Sequence, residues 1–307
     1  MKILIVGGTG FIGSRLASNL VQKKNNVVVL GHGRKNENNM ALGTKTYLMD
    51  IGSPDLKYIF KEEKPQVVYY MALPKDLRKK ISDLSSDKID FFSDFKKTLD
   101  CSVKMNVQRF VFMSSGGSIY SESKLFPTPE NHIQCPSSIY GLANLILEKM
   151  LQEYGEYFNM DYIILRASNV YGRGQNKSEI MAAMIKAISE SKELVISGDG
   201  NQTRDFIYID DLVNLLSVSG KSKKSGIFNV GSGYETSINE LYDKISKILN
   251  KKAKVIYNPG VKNDIKRSFL SIEKAKKELD WRPMVDIDMG LKKITSIEID
   301  QKDTLIK

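Results

Sequence analysis

Cysteine is scarce in this chain: Cys101 and Cys135 are its two copies among 307 residues. Two thiols without CxxC or Cys/His spacing exclude a disulfide framework and a thiolate metal site, and they are typical of a reducing compartment. No apolar run approaches the roughly 20 residues needed to span a bilayer. The apolar stretch 1–6 also reaches Gly7 too early for a secretory leader. We therefore expect a cytoplasmic protein with no bound metal and no membrane partner.

Proline is also rare, with 8 copies, and no internal repeat is present. Hydrophobic residues make up 41% of the chain and charged residues 27%, which excludes collagen-like, low-complexity and disordered chains. The net charge of +10 comes from lysine spread over the whole length, without a basic stretch interleaved with aromatic residues. We therefore expect a globular protein with no nucleic-acid partner.

Strand-like and helix-like segments alternate in the first half of the chain. Such a rhythm is typical of βαβ units around a parallel sheet that is covered on both faces. The predicted strands are 2–6, 27–30, 45–48, 66–70, 109–113 and 161–165. The predicted helices are 12–22, 55–63, 92–105 and 138–158. The predicted fold class is α/β, with a Rossmann-type doubly wound parallel sheet.

A glycine-rich loop, GGTGFIG, begins at Gly7 and joins the first predicted strand to the first predicted helix. Gly7 permits the tight turn, Gly10 lets the backbone approach a pyrophosphate, and Gly13 allows close packing of helix and strand. Backbone N–H groups at the helix start, around Phe11 and Ile12, then hold the anion. The loop predicts a dinucleotide cofactor; the alternative is a glycine-rich turn without a ligand.

The second predicted strand ends at Gly31, where an acidic residue usually bonds the adenosine ribose 2′-hydroxyl. Without that carboxylate a 2′-phosphate is not repelled, and Arg34 or Lys35 can pair with it. We therefore predict NADP or NAD as the cofactor, with the 2′-phosphate form favoured. The alternative is that both cations are ordinary surface charges.

Beyond Gly172 the alternation of strand-like and helix-like segments becomes less regular. Helices are expected near 179–190, 210–217, 238–249 and 272–279. We predict a dinucleotide-binding domain over residues 1–172 and a smaller C-terminal α/β substrate domain over 173–307. Some segments of the second are expected to return to the first.

Further motifs follow in order along the chain. They are Asp50-Ile51, VVYYMA at 67–72, RFVFMSSGGSIY at 109–120, PSSIYG at 136–141, LRASNVYGRGQ at 165–175, GDGNQTRDFIYIDDL at 198–212 and FNVGSG at 228–233. With the glycine loop, this series resembles the extended short-chain dehydrogenase/reductase family, and within it the NAD-dependent epimerase/dehydratase group that acts on nucleotide sugars. The resemblance covers nearly the whole chain.

The resemblance implies that a nicotinamide cofactor and a nucleoside-diphosphate sugar are the ligands. Asp50 and Ile51 would bracket the adenine, and Ala72 would line the ribose and pyrophosphate path. Asn169 and Arg204 would hold the substrate phosphates, because a buried diphosphate needs fixed donors such as a forked guanidinium. The alternatives are a turn-stabilising asparagine and a structural ion pair between the arginine and a nearby aspartate.

In this family a tyrosine takes the proton of the reacting sugar hydroxyl, and a lysine four residues later assists it and holds the nicotinamide ribose. Tyr140 stands at the tyrosine position, but Asn144 stands at the lysine position. Asparagine can bond a ribose hydroxyl but has no charge to favour an ionised phenol. Lys149 is no substitute, because nine residues at about 100° each place it on the opposite helix face.

The family's bridging serine or threonine would stand four residues before Tyr120, where this chain has Gly116. Ser115 and Ser118 flank that position and either hydroxyl can reach the sugar, with Ser115 ranked first. The alternative is that both hydroxyls satisfy the loop backbone.

Three hypotheses about function follow. The first is an NAD(P)-dependent nucleotide-sugar epimerase, in which Tyr140 abstracts the C4-hydroxyl proton during transient hydride transfer. The second is an NADPH-dependent 4-keto nucleotide-sugar reductase, whose tyrosine starts neutral and donates its proton. The third is a non-catalytic nucleotide-sugar-binding relative, in which Tyr140 is a packed helix residue. The family also implies a homodimer built on helices 92–105 and 138–158.

Overall fold

The computed structural model describes residues 1–32, 41–73, 91–120, 123–260 and 265–304, with 296–304 as backbone alone. Its strands are β1 (Lys2–Val6), β2 (Asn26–Gly31), β3 (Lys45–Leu48), β4 (Val67–Tyr70), β5 (Arg109–Ser115), β6 (Asp161–Ala167), β7 (Asn169–Tyr171), β8 (Leu194–Ser197), β9 (Thr203–Arg204), β10 (Phe206–Tyr208), β11 (Gly226–Val230), β12 (Thr236–Ser237) and β13 (Val255–Asn258). Its helices are α1 (Phe11–Gln22), α2 (Leu56–Glu63), α3 (Phe91–Lys104), α4 (Gly116–Ile119), α5 (Ile139–Phe158), α6 (Ile180–Ser189), α7 (Ile209–Ser219), α8 (Ile238–Leu249), α9 (Glu273–Leu279) and α10 (Ile287–Thr304).

Seven strands form the main sheet in the order β11-β6-β5-β4-β1-β2-β3, and every neighbouring pair is parallel. On the central strand β1, Ile5 lies opposite Val29 of β2 and Tyr69 of β4. All six predicted strands lie in this sheet. The predicted α/β fold class and Rossmann-type sheet are confirmed.

Side chains of the strands alternate between two hydrophobic clusters, one on each face of the sheet. Ile3 and Ile5 of β1 belong to one cluster, while Leu4 and Val6 belong to the other, and all four are fully buried. Each such side chain stabilises the fold by about 1.5 to 3 kcal/mol relative to exposure. Because both faces are covered, the strands have continuous apolar sequences rather than alternating ones.

The second half of the chain contributes to the same sheet. β11 pairs with β6, where Phe228 lies opposite Leu165, and α7 packs against α1. Three two-stranded pairs lie outside the main sheet: β7 with β10, β8 with β13, and β9 with β12. The helices expected beyond Gly172 correspond to α6, α7, α8 and α9. The predicted boundary between a dinucleotide-binding domain and a substrate domain, at residues 172 and 173, stays a prediction.

The carboxyl ends of the parallel strands share one edge of the sheet, and the predicted site residues follow these ends. Gly7 comes directly after β1, Ala72 lies just beyond β4, and Ser115 is the last residue of β5. Asn169 lies just beyond β6. In open α/β sheets ligands bind outside this edge, so the topology brings residues from distant parts of the sequence to one place.

Candidate functional site

The glycine loop has the geometry of an anion cradle. Gly7 has a φ of +83°, and α1 begins after Gly10 with neither a side-chain cap nor an acidic residue in its first turn. A Cβ atom on Gly13 would overlap the carbonyl oxygen of Gly7, so any other residue would push the helix away from the strand. The start of α1, at Phe11 and Ile12, therefore has the features of an anion-binding helix N-terminus, with no carboxylate in its first turn to repel a phosphate.

The predicted adenine-side residues lie at the same edge of the sheet. The backbone nitrogen of Ala72 lies 3.0 Å from the position that a Cβ of Gly7 would take, so the end of β4 borders the glycine loop directly. After β3, Asp50 is exposed and accepts a hydrogen bond from the Gly52 N–H at 3.1 Å, while Ile51 is buried. Arg34 and Lys35 lie outside the residues that the structure describes.

Tyr140 lies in the first turn of α5, which Ser138 caps by accepting a hydrogen bond from the Gly141 N–H at 3.0 Å. A Cβ on Gly141 would overlap the carbonyl oxygen of Ser118, so this turn packs closely against α4. The close approach brings the half-buried Tyr140 next to the segment that carries Ser115 and Ser118.

Asn144 is completely buried one turn after Tyr140. Its Nδ2 donates to the backbone carbonyl oxygen of Tyr140 at 2.8 Å, and its Oδ1 has no partner among the described residues. An unpaired buried acceptor costs about 1 to 3 kcal/mol, so a donor that reached Oδ1 would remove this cost. Lys149 is exposed and points its Nζ at Gln152 Oε1, 3.4 Å away, rather than at the phenol.

The two candidate serines differ in what their hydroxyls do. Ser118 Oγ donates to the carbonyl oxygen of Ser115 at 3.3 Å, whereas the Ser115 hydroxyl makes no hydrogen bond to the described residues. Between them, Gly116 is buried, and a Cβ placed on it would lie 2.6 Å from Cδ1 of Leu270. Leu270 therefore fills the space of a side chain at residue 116, a contact that sequence reasoning missed.

A buried polar network fixes α5 against the sheet. Arg166 and Glu148 form an ion pair with 2.6 Å between Nη2 and Oε2, and both side chains are fully buried. Ser114 Oγ donates to Glu148 at 2.5 Å, and Arg166 Nη1 donates to the Tyr120 hydroxyl at 2.7 Å. Tyr120 in turn donates to Asn229 Oδ1 at 2.8 Å. Burial raises the pKa of Tyr120 to about 12, so its hydroxyl stays a neutral donor.

This network orients the site residues that lie on α5. Tyr140, Asn144 and Glu148 are spaced by four residues, so they lie along one face of α5. Because the ion pair holds Glu148 to β6, it also fixes the rotation of α5 about its axis. The sequence carried only a weak signal for this role, the arginine inside the LRASNVYGRGQ motif.

Asp205 is buried between the two predicted phosphate ligands, next to Arg204 in the chain and hydrogen-bonded through its backbone to Asn169. Asp205 accepts hydrogen bonds from Ser232 N and Oγ, both at 2.7 Å, and from Leu270 N at 3.3 Å. Its own carbonyl oxygen accepts from the backbone N–H of Asn169 at 2.9 Å and from Nδ2 of that residue at 3.2 Å. Burial raises the pKa of Asp205. The structure thus brings Asn169 next to the Arg204–Asp205 segment, which sequence reasoning had not linked.

Arg204 is half-buried at the end of β9. Its Nη1 donates to the carbonyl oxygens of Thr203 at 2.8 Å and Ile265 at 2.6 Å. These bonds hold the guanidinium against the backbone of residues 203 and 265, while the next residue, Asp205, accepts the hydrogen bond from Asn169.

Two classes of feature are absent from the described part of the chain. No three His, Cys, Asp or Glu side chains there are grouped so as to hold a metal ion. None of the helices in that part has the length and the apolar character to traverse a membrane.

Comparison with known proteins gives consistent matches over the full length. The model of the NAD-dependent epimerase/dehydratase family matches residues 3–231. The UDP-glucose 4-epimerase of Mycolicibacterium smegmatis is 29% identical over 303 residues, which cover 95% of this chain and 97% of that protein.

Solved structures with bound ligands are also similar. The Thermotoga maritima UDP-glucose 4-epimerase with UDP-glucose matches with a TM-score of 0.92 and 30% identity, covering 98% of this chain and 100% of that one. The Bacillus cereus UDP-glucuronic acid 4-epimerase in complex with UDP-glucuronic acid and NAD matches with a TM-score of 0.89 and 27% identity, covering 98% and 100%.

Proposed function

Because this chain belongs to the NAD-dependent epimerase/dehydratase family, we propose that it is a nucleotide-sugar 4-epimerase that works by transient hydride transfer. The observation that carries the proposal is the position of Tyr140. Tyr140 lies in the first turn of α5, which packs against the Ser115–Ser118 segment that follows β5, and this packing supports the proposal. The glycine loop follows β1 and the Ser115–Ser118 segment follows β5, so both lie at the carboxyl edge of the same sheet.

The residues present fit a nicotinamide dinucleotide. Gly7, Gly10 and Gly13 leave little room for side chains, and we propose that the N–H groups at the start of α1, at Phe11 and Ile12, bind the pyrophosphate. At the other end, the unpaired Oδ1 of Asn144 accepts a hydroxyl of the nicotinamide ribose. The chemistry that a bound nicotinamide would supply here is reversible acceptance of a hydride from the sugar carbon. We propose NADP or NAD, because no carboxylate at Gly31 repels a 2′-phosphate.

Tyr140 is the group that takes and returns the sugar hydroxyl proton in this proposal. Ser115, whose hydroxyl is not used by the described protein atoms, positions the sugar oxygen, with Ser118 as the second candidate. Asn144 supplies no positive charge that would stabilise the ionised form of the phenol. We therefore expect slow turnover near neutral pH relative to an enzyme with a lysine at this position.

We propose a nucleoside-diphosphate sugar as the substrate. In this proposal Asn169 and the guanidinium of Arg204 donate to the two phosphates. The proposal is supported by the hydrogen bond from Asn169 Nδ2 to the backbone carbonyl oxygen of Asp205, the residue that follows Arg204. Asp50 and Ile51 follow β3 and Ala72 follows β4, and we propose that the adenine and its ribose bind there.

The neutral Asn144 favours one second candidate, a ketoreductase. A reductase needs its tyrosine only as an acid that starts neutral, so the missing lysine costs it less. In such an enzyme NADPH is consumed, whereas an epimerase needs only a catalytic amount of cofactor.

We propose that two copies of the chain associate through α3 and α5. Phe92 on α3 and Leu142 and Ile146 on α5 are exposed apolar residues on two helices that pack side by side. Leu142 and Ile146 are one turn apart and so form a continuous apolar stripe. We also propose a cytoplasmic location, in keeping with the two unpaired thiols, Cys101 and Cys135.

The proposed function is tested with a panel of UDP-, GDP-, dTDP- and CDP-sugars, incubated with and without NADPH, with the products followed by NMR. An epimer that forms without consumption of NADPH supports the proposal. A reduced sugar formed in step with NADPH oxidation identifies the ketoreductase. Binding of a sugar nucleotide without any product identifies a non-catalytic relative.

A further inference from the structure

Thr9 lies over the end of β2. A Cβ atom built on Gly31 would overlap Thr9 Oγ1, and it would lie 2.9 Å from Cγ2 and 3.1 Å from Cβ of the same residue. The N–H groups of Gly7 and Gly8 both donate to the carbonyl oxygen of Leu30, at 2.8 and 3.1 Å, and so hold the loop against the strand. The side chain of Thr9 therefore occupies the space where a side chain at residue 31 would stand.

This arrangement gives a steric reason for the missing acidic residue. Gly31 is buried, and even alanine at this position would collide with Thr9. With Thr9 in this rotamer, a side chain at residue 31 could be accommodated only if the threonine side chain rotated away. Residues 9 and 31 therefore have to be considered together when recognition of the adenosine ribose is predicted.

The Thr9 hydroxyl is also available for a ligand. The side chain is half-buried, and its Oγ1 makes no hydrogen bond to any residue that the structure describes. A hydroxyl can donate one hydrogen bond and accept two, whereas a carboxylate only accepts. The end of β2 is the place where the adenosine ribose of a bound dinucleotide is recognised.

We propose that Thr9 recognises the 2′-position of the adenosine ribose in place of a residue at position 31. The inference rests on the proposed use of a nicotinamide dinucleotide. The Thr9 hydroxyl exchanges a hydrogen bond with a 2′-hydroxyl and donates to a 2′-phosphate, and it carries no charge that would repel the phosphate. Thr9 thus accepts either form of the cofactor. NAD and NADP bind with similar affinity unless cations elsewhere strengthen the binding of NADP.

The test is a titration calorimetry series on the full chain, freed of retained nucleotide. The ligands are NAD, the NAD analogue that lacks the adenosine 2′-hydroxyl, and NADP. The wild type is compared with Thr9→Val, which keeps the shape and removes the hydroxyl. Thr46→Val is the matched control, because the Thr46 hydroxyl lies 3.2 Å from that of Thr44 on the neighbouring strand β3.

We expect the wild type and Thr46→Val to bind NAD about fivefold more tightly than the deoxy analogue, as for loss of one neutral hydrogen bond. Thr9→Val should bind both ligands equally, at the wild-type affinity for the analogue. The inference is overturned if Thr9→Val still discriminates, if it loses affinity for both ligands in parallel, or if the wild type does not discriminate. Failure of the wild type to bind any of the three dinucleotides would instead contradict the proposed function.

Discussion

The amide nitrogen of Asn144 donates to the backbone carbonyl oxygen of Tyr140 at 2.8 Å, and the amide oxygen of Asn144 is left without a partner in the described part of the chain. The side chain at the lysine position is therefore turned onto its own helix. It provides an acceptor near the phenol instead of a positive charge. The reactive half of the site differs in this respect from the adenine half, where the glycine loop follows the family pattern.

Replacing Asn144 by alanine should weaken cofactor binding more than it affects folding. The variant loses one helix-backbone hydrogen bond and also removes an unpaired buried oxygen, so the net change in the free energy of unfolding should stay within about 1 kcal/mol. The dissociation constant of NAD should rise about fivefold, because a ribose hydroxyl loses its acceptor. Calorimetric titration and urea unfolding measure the two quantities.

Gln152→Ala is the matched control for this comparison. Gln152 lies further along α5, and its Nε2 is likewise buried without a described partner. Its removal should leave cofactor affinity unchanged. Equal NAD affinity in wild type and Asn144→Ala would contradict the assignment of this oxygen to the cofactor.

Replacing Gly116 by serine should destabilise the protein because Leu270 fills the space. A Cβ at residue 116 would lie 2.6 Å from Leu270 Cδ1 and 3.1 Å from the carbonyl oxygen of Arg166. Overpacking of a tight interior costs about 1 to 3 kcal/mol. The double variant Gly116→Ser/Leu270→Ala should recover stability relative to the sum of the single changes, in a thermal or urea unfolding cycle. Strictly additive effects would show that the two residues do not compete for the same space.

Several of these relationships lie beyond what the sequence could predict. The sequence predicts the glycine loop and the strands β1 to β6, because glycine spacing and apolar runs are patterns of residues that are neighbours in the chain. The contacts of Leu270 with Gly116 and of Asp205 with Ser232 join distant segments, and no local pattern specifies them. β11 was missed because a run of five residues cannot be distinguished from any other short buried segment by periodicity.

Removing one partner of the buried ion pair should destabilise the protein strongly. Glu148→Gln keeps the shape but leaves the guanidinium of Arg166 buried without a countercharge, which costs about 3 to 5 kcal/mol. Glu153→Gln, at an exposed position of the same helix, should change stability by less than about 0.5 kcal/mol. The double change Glu148→Leu/Arg166→Met should restore much of the loss. Urea unfolding of the wild type and the three variants measures these changes in stability. Equal unfolding midpoints for Glu148→Gln and Glu153→Gln would contradict the role of the buried ion pair.

The stability contributed by Glu63 should depend on pH. Burial raises the pKa of this carboxyl, but hydrogen bonds from Lys2, Lys45 and Tyr47 outweigh that effect and lower it to about 2. A lowered pKa in the folded state stabilises the protein above the unfolded value of about 4.5, and this contribution is lost as the pH falls toward 2. Glu63→Gln should therefore cost about 1 to 3 kcal/mol at pH 7, with the difference narrowing below pH 4.5.

Urea unfolding of wild type and Glu63→Gln between pH 7 and pH 3 measures this effect. Glu62→Gln serves as the control, because Glu62 also pairs with Lys45 but its side chain is 62% exposed. An exposed ion pair contributes between 0 and about 1 kcal/mol. A gap between wild type and Glu63→Gln that stays constant with pH would contradict the ionic origin.

Replacement of Tyr140 by phenylalanine tests the central claim most directly, with formation of the C4 epimer followed by NMR under saturating sugar nucleotide and cofactor. Tyr157→Phe is the control, because Tyr157 lies on the same helix and is 84% exposed. Loss of a general acid–base group should lower turnover by about 10² to 10⁴ in Tyr140→Phe, while substrate affinity stays within a factor of two and the control is unaffected. Wild-type turnover in Tyr140→Phe would remove this phenol from the reaction and contradict the account.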